Sequence, residues 1–199
     1  IPNSPTTANV LRILRNEIQY RNELSPPKQP ETAYEAFEVD GRPGEQWVCM
    51  RKRLVGGGEE IRLEATMFDG MEKVTFEGDK GLEEDTRLHI TLLVDVSKDG
   101  AANERSLEFL CSAWPDRLEI LKVYFVDSQE DKTRAVTAPP YMGPNFRELS
   151  RELQEELGKF LAGRGVDDKL CAFLHKYMMN KDNIELNRWL GKVKSFVET

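Results

Sequence analysis

Two histidines and three cysteines are all that this 199-residue chain holds of the side chains that most often bind metals or act as nucleophiles. His89 and His175 have no Cys or His nearby at ligand spacing, so no metal centre and no cofactor are expected. Cys49, Cys111 and Cys171 are odd in number and lack paired spacing, which excludes a disulfide framework and fits buried thiols in a reducing compartment. No window approaches the ~18 uninterrupted apolar residues of a membrane-spanning helix. No local Ser-His or Cys-His pattern supports a nucleophilic triad, so no catalytic residue and no enzyme is expected. The one glycine run, Gly56–Gly58, lacks a following Lys-Ser/Thr and lies between two predicted strands, which makes it a hairpin loop and not a phosphate cradle. Arg51-Lys52-Arg53 falls inside a predicted strand, where successive side chains alternate faces, and so makes no nucleic-acid patch. Internal repeats are absent. The chain starts at Ile1 and not at methionine, so it reads as trimmed or processed, with no targeting segment left to read.

What the chain does have is acid, unevenly spread. The formal net charge is −7, from 35 acidic against 28 basic residues. The stretch Asn145–Thr199 carries ten Lys/Arg against nine Asp/Glu, so the imbalance lies earlier. Asp69, Glu72, Glu77, Asp79, Glu83, Glu84 and Asp85 face only Lys73 and Lys80, giving Asp69–Asp85 a net of −5. This segment is expected to be a loop between two strands. Its plain reading is a solvated connector. Its functional reading is an acidic contact surface that attracts basic polypeptide and speeds encounter. Such a surface repels phosphate backbones, so direct nucleic-acid binding is not expected.

Hydrophobic periodicity predicts one α+β domain over residues 1–199, with a loose arm at 1–5 and a helix over 6–24 that ends at Ser25-Pro26-Pro27. Val10, Ile13, Leu14, Ile18 and Leu24 recur at helical spacing. Between residues 31 and 141 the period changes to alternation. Candidate strands are Ala33–Val39, Gln46–Val55, Glu60–Phe68, Arg87–Ser97, Ser106–Trp114 and Arg117–Val126. Leu88, Ile90, Leu92, Val94 and Val96 oppose His89, Thr91, Leu93 and Asp95, the mark of a sheet with one face on a core and one face wetter. Short connectors such as Asp40-Gly41, Asp99-Gly100 and Pro115-Asp116 predict antiparallel hairpins.

Two helices close the chain, over 145–163 and 167–198. Asn145 with Glu148 makes a capping box, Gly163 and Gly165 stop the first helix, and Asp167-Asp168 start the second. The second helix carries Leu186, Trp189, Leu190, Val193 and Phe196, interrupted earlier by the polar run Asn180–Asn183, which admits a kink. A stripe this long needs a partner, and the N-terminal helix is the obvious one, with Trp189 buried near Ile13, Leu14 or Ile18. The turn Arg164–Asp168 and the closing pattern Leu186, Trp189-Leu190, Val193-Lys194, Phe196-Val197 resemble the mitochondrial glycoprotein family. That resemblance implies a twisted antiparallel sheet of about seven strands, the seventh a short one near Thr137–Tyr141, flanked by one N-terminal and two C-terminal helices, the terminal helices forming a coiled pair. It also implies a doughnut-shaped homotrimer around a channel. By resemblance the chain is a non-catalytic acidic scaffold or chaperone of the mitochondrial matrix that binds basic proteins and supports mitochondrial translation, ribosome biogenesis and oxidative phosphorylation. The alternative is a permanent structural subunit of a large assembly such as the mitochondrial ribosome.

Overall fold

In the computed structural model the alternating stretches become a seven-stranded antiparallel sheet whose strand order follows the chain. Residues 4–56, 58–79, 81–98, 105–127 and 141–199 are described. The strands are β1 (Ala33–Tyr34), β2 (Phe37–Asp40), β3 (Trp47–Leu54), β4 (Glu59–Gly78), β5 (Gly81–Lys98), β6 (Arg105–Ala113) and β7 (Leu118–Asp127). Among the described residues three α-helices accompany them: α1 (Pro5–Leu24), α2 (Arg151–Ala162) and α3 (Asp168–Glu198). The turn expected at Asp99-Gly100 and most of the strand expected near Thr137–Tyr141 lie outside the described residues. The described chain divides into two compact units, residues 32–176 and residues 1–31 with 177–199.

The larger unit holds the sheet. Its alternation places Phe37, Met50, Ile61, Leu63, Ile90, Leu92, Val94 and Phe109 on one face, each at most 1% exposed, with buried Leu161, Leu170 and Leu174 from α2 and the first turns of α3. Phe109 stacks on Phe160 of α2 at 5.9 Å between ring centroids, and Tyr34 stacks on Phe173 of α3 at 4.2 Å. Seven strands arise from six predicted ones because Ala33–Val39 is not continuous. Tyr34 pairs with Phe37 across a tight turn, and Glu35 takes a left-handed φ of 49°. The predicted start of the first C-terminal helix is also corrected. Asn145 caps only a short 3-10 turn, Phe146–Glu148, by accepting the Arg147 N–H. Leu149 then turns extended, and α2 begins at Arg151 with Ser150 Oγ accepting the Leu153 N–H. Gln154 Nε2 donates to the Leu149 carbonyl at 2.8 Å, satisfying a group that the break releases.

Each residue of the Arg164–Asp168 turn has a mechanical role. Arg164 holds Glu59 of β4 through both carboxylate oxygens, at 2.7 and 3.0 Å from Nη2. Its guanidinium lies 3.5 Å from the Phe160 ring centroid. Gly165 has φ +78°, and a Cβ there would meet Lys52 Nζ at 3.1 Å. Val166 is buried. Asp167 Oδ1 accepts the Leu170 N–H at 3.0 Å as the α3 cap, and Asp168 Oδ1 accepts the Leu118 N–H at 2.8 Å, fastening the start of β7.

In the smaller unit α1 runs antiparallel to the last turns of α3, since Arg15 meets Glu198 at 3.0 Å while Ser25 meets Asn183. Pro5 begins α1 behind the Ser4 cap, so the arm expected through residue 5 is shorter than drawn. The polar run in α3 produces no break. Asn183 Nδ2 donates to the Ser25 carbonyl at 2.8 Å, and Asn180 both donates to and accepts from the Lys28 backbone at 2.9 Å. These amides satisfy backbone groups at the α1 C-cap and in the segment that follows it. Leu14 and Leu190 are buried, and Ile18, Leu186 and Val193 half-buried. The expected burial of Trp189 is corrected: it is 56% exposed, as are Ile13 at 51% and Phe196 at 82%. Trp189 and Phe196 sit about 100° and 120° around the helix from Leu190, so the stripe is wider than one partner helix covers. Asn187 has both side-chain polar atoms buried without a partner, the kind of position that fixes register between helices at a cost in stability.

Candidate functional site

The acidic segment is not a loop. β4 and β5 continue pairing through it, from Gly70↔His89 to Gly78↔Gly81, so Asp69–Asp85 is the outer part of one long hairpin. β3 stops pairing at Trp47↔Thr66 and β6 at Ile90↔Ala113, which leaves the outer part as a two-stranded arm. Val74, Thr75 and Phe76 supply its strand-forming residues, and Gly81, at φ +107°, closes the turn.

The register divides the carboxylates. Glu72, Glu83 and Asp85 share one face with Val74, Phe76 and Arg87, while Glu77 and Glu84 share the other with Met71, Lys73 and Leu82. Asp79 lies at the tip. The expectation of one acidic surface therefore becomes an arm that presents charge on both sides. Glu72 is partly neutralised by Arg117 at 3.5 Å. Leu82, Met71 and Phe76 are exposed among the charges.

Asp69 lies at the root of the arm, where its exposed side chain is tied back to the sheet. Between Ala65 and Gly70 the register of β4 shifts twice, and Asp69 folds back so that its Oδ1 meets His89 Nδ1 at 2.7 Å. His89 Nε2 meets Ser112 Oγ of β6 at 2.8 Å, and its ring stands edge-on to Trp114 at 5.1 Å. Burial alone would raise the Asp69 pKa, but hydrogen bonds from Thr91, His89 and Thr66 outweigh it and hold the carboxylate below its ordinary value. The order Ser112, His89, Asp69 has the connectivity of a hydrolytic triad. Ser112 is only 5% exposed, however, and lies within β6 opposite both Thr91 and Glu119. The constellation ties β4, β5 and β6 together where the arm leaves the sheet. Sequence reading missed it because the three residues meet only through strand register. The available signal was their shared place on the polar face.

A second polar row crosses that face: Glu38, Arg51, Arg62, Asp95, Glu108 and Tyr124 stand opposite one another on successive strands. Arg62 pairs with Glu64. Burial raises the pKa of Asp95 against a hydrogen bond from Ser106, with Glu60 and Glu64 adding to the shift, and burial raises that of Glu108 against one from Tyr124, with Asp95 and Glu64 adding to it. A folded pKa above the unfolded value means that the native state holds more protons between the two. Stability therefore falls as pH rises through that window and stays reduced above it. Asp95→Asn and Glu108→Gln are expected to raise the melting temperature at pH 7, with the gain vanishing below pH about 4, where the unfolded carboxylates also protonate. Thermal scans across pH measure this, and a gain that persists in acid would point to a cause other than charge.

The basic triplet splits as its strand position requires. Lys52 Nζ donates to the Arg164 carbonyl at 2.6 Å and lies over the Phe37 ring, while Arg51 and Arg53 point to the other face. Cys111 and Cys171 are buried free thiols, and burial pushes Cys171 up to about 12. Among the described residues no cluster of His, Cys, Asp or Glu is placed to hold a metal. No described helix is long and apolar enough to cross a membrane.

These features define an α+β protein with helices on one face of a sequential antiparallel sheet and an acidic hairpin extending from it. The chain belongs to the mitochondrial glycoprotein family, whose profile matches residues 14–197. It is 32% identical over 166 residues to an uncharacterised mitochondrial protein of Arabidopsis thaliana, a match covering 81% of this chain and 62% of that protein. The chain thus spans less than two thirds of that relative's length. It is 23% identical to the mitochondrial acidic protein mam33 of Schizosaccharomyces pombe, covering 96% of this chain and 78% of the relative. The crystal structure of the Trypanosoma brucei p22 protein superposes with a TM-score of 0.74 at 23% identity, over 98% of this chain and 100% of that one. A Leishmania major protein described as a sequence homologue of human p32 superposes at 0.72 and 19% identity, over 96% and 99%. At such identities the structures establish the fold.

Proposed function

We propose that the chain is a non-catalytic acidic scaffold of the mitochondrial matrix that assembles as a homotrimer and binds basic proteins, in support of mitochondrial translation, ribosome biogenesis and oxidative phosphorylation. The acidic arm carries the proposal, because its carboxylates face both sides of a ribbon that has no third strand among the described residues. The relatives named as mitochondrial and acidic support the setting. Assembly is supported by apolar residues that one chain leaves in water: Val10, Ile13, Tyr20 and Leu24 along α1, with Trp189 and Phe196 on α3. Light scattering is expected to give about three times 22.8 kDa. Trp189→Ala is expected to shift that mass toward the monomer while costing the isolated chain less than about 0.5 kcal/mol, as exposed substitutions do. A parent chain that is monomeric at every concentration would refute the trimer. The binding role is tested by affinity capture from matrix at low and high salt. Basic proteins released by salt support a scaffold, and capture of ribosomes that resists salt supports the structural-subunit reading.

A further inference from the structure

We infer that the arm takes its partner by strand addition: a basic, extended polypeptide segment pairs with the open edge of β5 between Leu82 and Leu88. This rests on the reading of the chain as a binder of basic proteins and specifies how contact is made.

The ladder supplies the first argument. β6 runs beside β5 only from Ile90 to Ser97, so among the described residues the strand pairs with β4 alone from Leu88 back to Gly81. Its far edge offers backbone N–H and C=O groups that a neighbouring strand satisfies elsewhere in the sheet. The Thr86 N–H is held by Asp85 Oδ1 at 2.8 Å, a contact that an incoming carbonyl can replace. A two-stranded ribbon is marginal alone and gains from a third strand, and main-chain pairing carries affinity in this mode of recognition.

Charge selects the occupant. Glu83, Glu84 and Asp85 are consecutive on this edge, so carboxylates point to both faces and an added strand meets one whichever way its cations turn. A second copy would set the same carboxylates against each other, which cross-strand repulsion disfavours. The β4 edge of the arm carries Lys73 between Glu72 and Glu77 and is the poorer site for a cationic strand. Leu82, 82% exposed, and Phe76 offer apolar contacts beside the charges. The partner segment that fits alternates Lys or Arg with apolar residues.

The test uses the full chain and a short blocked peptide of alternating lysine and valine, against the same peptide N-methylated throughout, which keeps the charge but cannot donate backbone hydrogen bonds. The methylated peptide is expected to bind about tenfold more weakly or worse, since affinity in strand addition comes from the main chain. Hydrogen exchange at Leu82–Leu88 is expected to slow only with the unmodified peptide. Equal affinities with unchanged exchange, both weakening with salt, would overturn strand addition and leave the basic-partner reading standing. No binding of either peptide at low salt would overturn both. Protection of this edge without peptide, lost on dilution, would assign it to a second copy and overturn the inference as well.

Discussion

Glu59→Ala is expected to destabilise the fold by about 2–4 kcal/mol. Removing one partner of a buried ion pair costs ~3–5 kcal/mol because the other charge is stranded, and the figure is lowered here because both groups keep some contact with water. Glu59 is 11% and Arg164 19% exposed, with three hydrogen bonds between them of 2.7–3.0 Å. Arg164 also donates to the Phe160 carbonyl at 3.0 Å, so a stranded guanidinium keeps one anchor while losing its counter-charge. The double variant Glu59→Leu with Arg164→Met is expected to be less destabilised than Glu59→Ala alone, since apolar replacement of a whole pair is tolerated better than its halving. Urea unfolding of the parent and the two variants measures the difference. A Glu59→Ala chain that unfolds with its parent would mean that the turn is held without this ion pair, by the Lys52, Asp167 and Asp168 contacts and the burial of Val166.

Replacing Glu77, Asp79, Glu83, Glu84 and Asp85 with Gln or Asn is expected to slow association with oligolysine by about 10–10³-fold at low salt, the range over which electrostatic steering acts. The salt dependence of the rate should flatten in parallel. Folding should barely change, because these side chains are exposed and their charges contribute little to stability. Stopped-flow rates across ionic strength decide the matter. An unchanged rate with an unchanged salt slope would remove the electrostatic role and favour contacts through the helices or another sheet edge.

The inner face of the sheet was legible because Ile61, Leu63 and Ala65 and then Ile90, Leu92 and Val94 alternate cleanly, and every one of them is buried. The arm was not legible as strand. Glu, Asp and Lys are poor strand residues, and with no core on either side nothing forces apolar residues onto alternate positions. Its carboxylates were nonetheless found by charge counting, which needs no structure. Charge counting could not show that Asp69 also bonds within the sheet, since its partner His89 lies 20 residues further along. Trp189 misled for a different reason. Periodicity identifies an apolar stripe but not its width, and Leu190 occupies the covered centre while Trp189 lies on the flank.

The strand order of the sheet has a kinetic consequence. Each strand pairs with the one before it in the chain, so no crossover has to be threaded and every ladder can zip from its own turn. The longest zipper starts at Gly78↔Gly81 and runs inward to Glu59↔Lys98, crossing two register shifts on the way. Those shifts act as stops against slippage, because a ladder displaced by one residue would turn Leu63 and Val94 outward. A sheet of this size usually forms slowly because its partners are distant in sequence. Here the tip of the arm is the nearest-neighbour turn of the longest ladder, so the acidic segment is also placed to pair first.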